Sequence, residues 1–290
     1  MSTGSRHPPR YKTREPTTPE HALAPSPLDA YRCETLHIAG VRRDVYIRGH
    51  GPAVIVLAEV PGITPSVLAF AERVQAAGFT VWLPHLFGTP GAPRNAWRIT
   101  KTLWNLCISK EFHVLAAGED SPIATYLRQL ATLAHQRCGG KGVGAVGMCI
   151  TGQLVLSMVL GAPVRAPVLS QPSTPLALTP TLGAALGVSD AAIDAMKTLH
   201  ETEGVRALGL RFSADLMCPA ARFSTLKQAL GDALETIEVD SSPGNRGRHH
   251  RFAHSVLTED FDDADDAPTR QALQRVLEHF HTHLRPEGSA

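Results

Sequence analysis

The chain has 290 residues, 43% of them hydrophobic and 19% charged, which suits one large α/β domain with a sizeable core. Its formal net charge of +1 leaves no electrostatic footprint for nucleic acid or an anionic membrane as a partner. No apolar run approaches the roughly 18 residues of a membrane span, and no apolar core follows the charged N-terminus as in a secretory signal.

Residues 1–30 are rich in Pro, Thr, Ser and charge and read as a flexible N-terminal tail, with a single folded domain expected over 31–286. Glu34–Ala39 and Asp44–Arg48 alternate and flank a Gly turn, so they predict an antiparallel hairpin. Ala53–Ala58 is a continuous, β-branched run of the kind buried on both faces. It runs into Glu59-Val60-Pro61-Gly62, then a helix over Pro65–Ala77 and a strand over Thr80–Leu83. After the Pro/Gly-rich Thr89–Asn95 loop, helices are expected over Arg98–Ala117 and Pro122–Gln136. Further on, strands are expected at Ala166–Ser170, Arg206–Phe212 and Leu234–Val239. Helices are expected at Ser189–Glu203, Pro219–Leu230 and Thr269–Leu284, and a proline-bearing loop at Ser173–Thr181. Strands alternating with helices indicate one doubly wound, mostly parallel sheet with helices on both faces. Five scattered cysteines without a Cys-x-x-Cys pair point to a reducing, cytoplasmic setting and away from a disulfide or zinc framework.

Lys141–Leu160, KGVGAVGMCITGQLVLSMVL, stands apart. An apolar strand, Val143–Val146, leads through Gly147-Met148-Cys149-Ile150-Thr151-Gly152 into a helix over Gln153–Leu160. A thiol therefore sits at a strand-to-helix corner. A nucleophile elbow of the α/β-hydrolase type has this layout, with Ser normally at its centre. Small neighbours let strand and helix pass closely, and the helix N-terminus favours a thiolate and aims the Ile150 N–H at a developing oxyanion. The alternative is a buried cysteine in an ordinary α/β turn.

In an open parallel sheet, chemistry collects beyond the C-terminal ends of the strands. Glu59, His85, Cys149, Gln171 and Asp215 all stand just past predicted strands. Asp215 is the carboxylate that follows Arg206–Phe212, or else the cap of the next helix. His249, His250 and His254 lie after the last strand. The acidic stretch Asp260–Asp266 reads as a solvated connector, poorly spaced for a metal.

These motifs resemble the dienelactone hydrolase family, a Cys-His-Asp branch of the α/β-hydrolases, from about Glu34 to Leu284. Val-Gly-Met-Cys-Ile-Thr-Gly is similar to its V-G-x-C-x-G-G elbow. Glu59-Val60-Pro61-Gly62 is similar to its E-x-x-G segment. Trp82-Leu83-Pro84-His85-Leu86-Phe87 resembles its P-D-L-Y segment, with His85 in place of the acid. Ala253-His254-Ser255-Val256 resembles its G-H-S-F segment and so selects His254. The resemblance implies an α/β-hydrolase fold and hydrolysis of a small ester or lactone. Cys149 is then the nucleophile, His254 the base, Asp215 its orienting acid, and Glu59 a carboxylate that exchanges a proton with the thiol. The Val60 and Ile150 N–H groups form the oxyanion hole, with no metal or other cofactor. The family holds its substrate carboxylate with two arginines, at positions that carry Gly88 and Thr258 here. The substrate is therefore expected to differ from dienelactone, with Arg94 or Arg98 as possible substitute cations and an apolar pocket shaped by Thr89–Ala117 and Pro172–Pro180. The partner is a small molecule, without nucleic acid or membrane, and the chain a monomer or homodimer. A binding protein with little turnover, or a lactone isomerase or cyclase, uses the same residues.

Overall fold

The computed structural model describes residues 27–108, 121–173 and 186–286. Arg32–Ile38 (β1) and Val41–Arg48 (β2) pair as the expected antiparallel hairpin. Its turn residues, Ala39 and Gly40, have φ of 50° and 76°, the pair of positive values whose twist matches the flanking strands. Six strands follow: Ala53–Leu57 (β3), Thr80–Pro84 (β4), Val143–Met148 (β5), Val164–Ser170 (β6), Ala207–Phe212 (β7) and Leu234–Val239 (β8). They are mutually parallel, and β2 joins them antiparallel to β4. The sheet order is β1-β2-β4-β3-β5-β6-β7-β8, so β3 and β5 sit side by side at its centre.

Seven helices lie among the described residues: Pro65–Ala76 (α1), Ala96–Ile108 (α2), Pro122–Cys138 (α3), Leu154–Val159 (α4), Asp190–Glu203 (α5), Ala220–Leu230 (α6) and Pro268–Leu284 (α7). Alternate residues of β3 serve opposite faces. Ile55 and Leu57 meet Leu127 and Leu130 of α3 and Leu154 of α4. Val54 and Val56 meet Phe70 and Val74 of α1 and Val276 and Phe280 of α7. Every residue of β3, β4, β5 and β7 is buried, which is why these strands are apolar runs and not alternating patterns. Thr64, Ser121 and Ser189 cap α1, α3 and α5, each accepting the N–H three residues on.

The hairpin, strands and helices fall where the sequence places them, with ends shifted by one to three residues. Helix α2 starts at Ala96, two residues before the predicted start, because Asn95 Oδ1 accepts the Arg98 N–H at 2.8 Å as a cap. The predicted continuation beyond Ile108, all of the Ser173–Thr181 loop except Ser173, and residues 1–26 of the expected tail lie outside the described residues.

The elbow differs from the simple corner. Strand β5 runs two residues further, to Met148, and a single 3₁₀ turn over Cys149–Thr151 precedes α4. Thr151 explains it. Its hydroxyl accepts the Met148 N–H at 2.9 Å and lies 3.0 Å from the Leu57 carbonyl, tying the corner to the end of β3. Gly147 is required by close approach: a Cβ there would lie 2.3 Å from the Thr151 carbonyl oxygen. Replacing Thr151 by Val keeps the side-chain shape but leaves the buried Met148 N–H without that acceptor. Stability is expected to fall by about 1–3 kcal/mol, read as a lower urea midpoint at unchanged m-value.

Candidate active site

Cys149 stands at the C-terminal end of β5 with φ of 56°, in the left-handed region that a non-glycine residue rarely occupies. Its thiol sulfur lies 3.0 Å from the hydroxyl of Ser173, and its carbonyl accepts the Ser173 N–H at 3.1 Å. Ser173 comes from the corner after β6. Gln171 there has φ of 34°, and Pro172 sits against Gly152, where a Cβ would come within 2.8 Å of it. Nothing in the sequence singled out Ser173, which stood only as the first residue of a loop.

Asp215 follows β7 by three residues and is 4% exposed. Its two oxygens do different jobs. Oδ1 accepts the N–H groups of Met217 and Cys218 at 2.8 and 3.2 Å, the local capping role considered from sequence. Oδ2 accepts Nδ1–H of His254 at 2.6 Å. Of the three histidines offered after β8, His254 is therefore the one joined to Asp215. His249 instead stacks on Phe212, ring centroids 4.9 Å apart, and burial lowers its pKa. His250 is exposed and reaches Asp260 at 3.0 Å.

His254 is 4% exposed. Burial alone would push its pKa down. The negative charge of Cys149, the bond to Asp215 and hydrogen bonding toward Cys149 outweigh that and hold it well above the ordinary histidine range. Nε2 has no hydrogen bond of good geometry, although Cys149 is near enough to act on the ring in these two ways. The backbone of this loop is pinned by Asp260. Its Oδ2 accepts the N–H groups of both His254 and Ser255, at 2.8 and 2.9 Å. Asp260, expected to begin a solvated connector, is thus a structural anchor with a side chain 17% exposed. No group of three His, Cys, Asp or Glu suited to a metal occurs among the described residues.

Glu59 is 2% exposed at the end of β3. Its carboxylate accepts Ser255 Oγ–H at 2.7 Å, a short bond from Thr258, and a longer one from Gln171 Nε2 at 3.4 Å. Among the described residues three neutral donors, and no cation, satisfy it. Among the described residues no hydrogen bond joins it to Cys149. The elbow is linked to this strand end through Thr151, which also lies 3.4 Å from the Ala58 carbonyl. Val60 follows Glu59, and its N–H meets no acceptor among the described residues. Val60, Ile150 and the half-buried Cys149 pack in the same apolar layer, and Ile150 is the second residue of the 3₁₀ turn, where an N–H has no partner within the turn.

A family profile described as the dienelactone hydrolase family matches residues 45–284. The chain belongs to the dienelactone hydrolase family. A search of curated proteins returns no match. Among solved structures, a putative dienelactone hydrolase from Klebsiella pneumoniae is 18% identical, with a TM-score of 0.60, over 87% of this chain and 98% of that one. A dienelactone hydrolase-like promiscuous phosphotriesterase from metagenomic libraries is 15% identical, with a TM-score of 0.55, over 88% and 99%. An esterase of Thermogutta terrifontis, phosphoramylated by tabun, is 14% identical, with a TM-score of 0.54, over 90% and 98%. At these identities the likeness is one of fold, and the sheet described above is an α/β-hydrolase sheet.

Set against the dienelactone hydrolase pattern, the two positions that lack arginine are both built into the structure. Gly88 has φ of 81°, and a Cβ there would fall 1.8 Å from the Pro61 carbonyl oxygen. The Thr258 side chain is taken up by Glu59. Beside Gly88 opens a cavity of about 480 Å³, lined among others by Gly62, Thr89, Trp97, Arg98 and Lys101 and, among the described residues, by no carboxylate and by none of Cys149, His254, Asp215 and Glu59. The described part of the Thr89–Ala117 stretch brings cations as well as a tryptophan to it. Arg94 does not line this cavity. A larger cavity of about 570 Å³, between Arg246, Arg248, Asp262 and Asp266, touches none of the residues above. Removing the sulfur tests the electrostatics of the pair. Cys149→Ala should lower the His254 pKa, followed by NMR of the ring protons through a pH titration, because the charge of Cys149 is the largest influence raising it.

Proposed function

We propose that this protein hydrolyses a small carboxylic ester or lactone through a Cys149-His254-Asp215 triad. The observation that carries the reading is the buried 2.6 Å bond that fixes the His254 ring on Asp215. Cys149, as thiolate, attacks the substrate carbonyl carbon, and the carbonyl electron pair moves onto oxygen. The Val60 and Ile150 N–H groups receive that oxyanion. On collapse the C–O bond breaks, and the leaving alkoxide takes the proton held on His254 Nε2. In a lactone, that hydroxyl stays tethered to the acyl group. Water, deprotonated by the now neutral His254, then attacks the thioester, and the sulfur leaves as thiolate. Asp215 fixes the ring's tautomer throughout. Glu59 acts as a second proton acceptor for the thiol, after trading its bonds to Ser255 and Thr258, in the manner the family resemblance implies.

The substrate is not dienelactone held in the family manner, since Gly88 and Thr258 offer no cation. We place an acidic substituent, where the substrate has one, against Arg98 and Lys101. Neither ion-pairs among the described residues. Cys33, Cys138, Cys149 and Cys218 are free thiols, in keeping with a reducing compartment such as the cytoplasm, and no described helix is long and apolar enough to cross a membrane.

Cys149→Ala should reduce turnover of p-nitrophenyl esters by about 10³-fold or more, with the melting temperature held. Unchanged turnover would remove the thiol mechanism. In the native wild type, iodoacetamide should label Cys149 faster than the exposed Cys33, whose pKa is raised mainly by burial of the sulfur. Arg98→Ala should raise KM for a carboxylate-bearing ester by roughly 10-fold while leaving KM for a neutral ester in place, a loss of one charge-assisted bond.

A further inference from the structure

The corner Gln171-Pro172-Ser173 touches both chemical groups of the site, the thiol through Ser173 and the buried carboxylate through Gln171. Ser173 is 4% exposed, and its hydroxyl makes one hydrogen bond among the described residues, to the sulfur of Cys149. A hydroxyl that far from solvent needs an acceptor for its proton. Among the described residues the sulfur is the acceptor that its contact places within reach, and a thiol donating to Ser173 would leave the hydroxyl proton without one. His254 Nε2 is also buried and without a bond of good geometry, with Cys149 near enough to act on the ring. One arrangement serves the hydroxyl: Ser173 donates to the sulfur, and the same donor faces the thiolate once the thiol has given up its proton.

We infer that Ser173 is a further catalytic residue, whose hydroxyl donates to the Cys149 sulfur and stabilises it as a thiolate. The assignment rests on the reading of Cys149 as the nucleophile. Its geometry is enforced twice. The Ser173 N–H is bonded to the Cys149 carbonyl, so serine and cysteine move as one unit. The positive φ of Gln171 and the seat of Pro172 on Gly152 turn the chain back toward the elbow. Serine is suited to this place because a hydroxyl donates without competing for the thiol proton as a base would.

The test is the pH dependence of Cys149 alkylation by iodoacetamide, which needs no substrate. In Ser173→Ala the acidic limb of that profile should move up by about one pH unit, the equivalent of one hydrogen bond to a charged group. Below the midpoint the alkylation rate should drop by roughly 10-fold. Ser173→Thr and Ser173→Val match in shape and differ in the hydroxyl; the threonine variant should keep the wild-type limb and the valine variant should not. This pair settles the matter if the alanine variant fails to fold. A limb that stays put, or moves down, in the variants lacking the hydroxyl overturns the assignment. Ester turnover is measured alongside. An upward shift with no turnover in any variant keeps Ser173 as a thiolate donor and rejects the hydrolase reading. A fixed limb with Cys149-dependent turnover does the reverse.

Discussion

The buried bond between Asp215 and His254 joins two chain segments far apart in sequence. One follows β7 and the other lies 39 residues later, beyond β8. Because β7 and β8 are parallel neighbours, both loops emerge at the same edge of the sheet as Cys149, which ends β5. Taking the imidazole and the carboxylate out of water is unfavourable unless each is satisfied. Asp215 is held by two backbone N–H groups and the ring, and the His254 loop by Asp260. The ring nitrogen left without a bond of good geometry is Nε2, the one that Nδ1 and Asp215 leave free to face other groups.

A second polar cage surrounds Glu59, and it shares members with the first. Ser255 is the neighbour of His254 and donates to Glu59, while its own N–H is held by Asp260. Gln171 donates to Glu59 from the corner that presents Ser173 to the sulfur. A shift of the carboxylate would thus be felt at residues two positions from Ser173 and one from His254. Thr258 completes this cage of neutral donors among the described residues.

Most of the fold was legible in the sequence because the central strands are buried on both faces and three helices, α1, α3 and α5, start at a capping serine or threonine. Cys149, Asp215 and Glu59 were legible for a geometric reason: each follows a strand, and strand ends gather in one place. His254 was less so, since three histidines share its loop, and the G-H-S-F likeness separated them. What remained hidden were groups whose role depends on tertiary contact alone. Ser173 and Asp260 sit in stretches whose composition marks only a loop and an acidic connector. The 3₁₀ turn at the elbow was hidden as well, because a single threonine hydroxyl bridging to β3 leaves no periodic trace in the chain.

The contact of Gly88 with Pro61 bears on how such a protein could change its diet. In the family pattern this position carries a substrate-holding arginine, and the genetic code lets glycine become arginine in one step. Here that step is sterically closed, because the first side-chain atom would collide with a neighbouring carbonyl. Gaining an arginine here would have to begin with a rebuilt loop, and laboratory evolution by point mutation would more readily explore charges on α2.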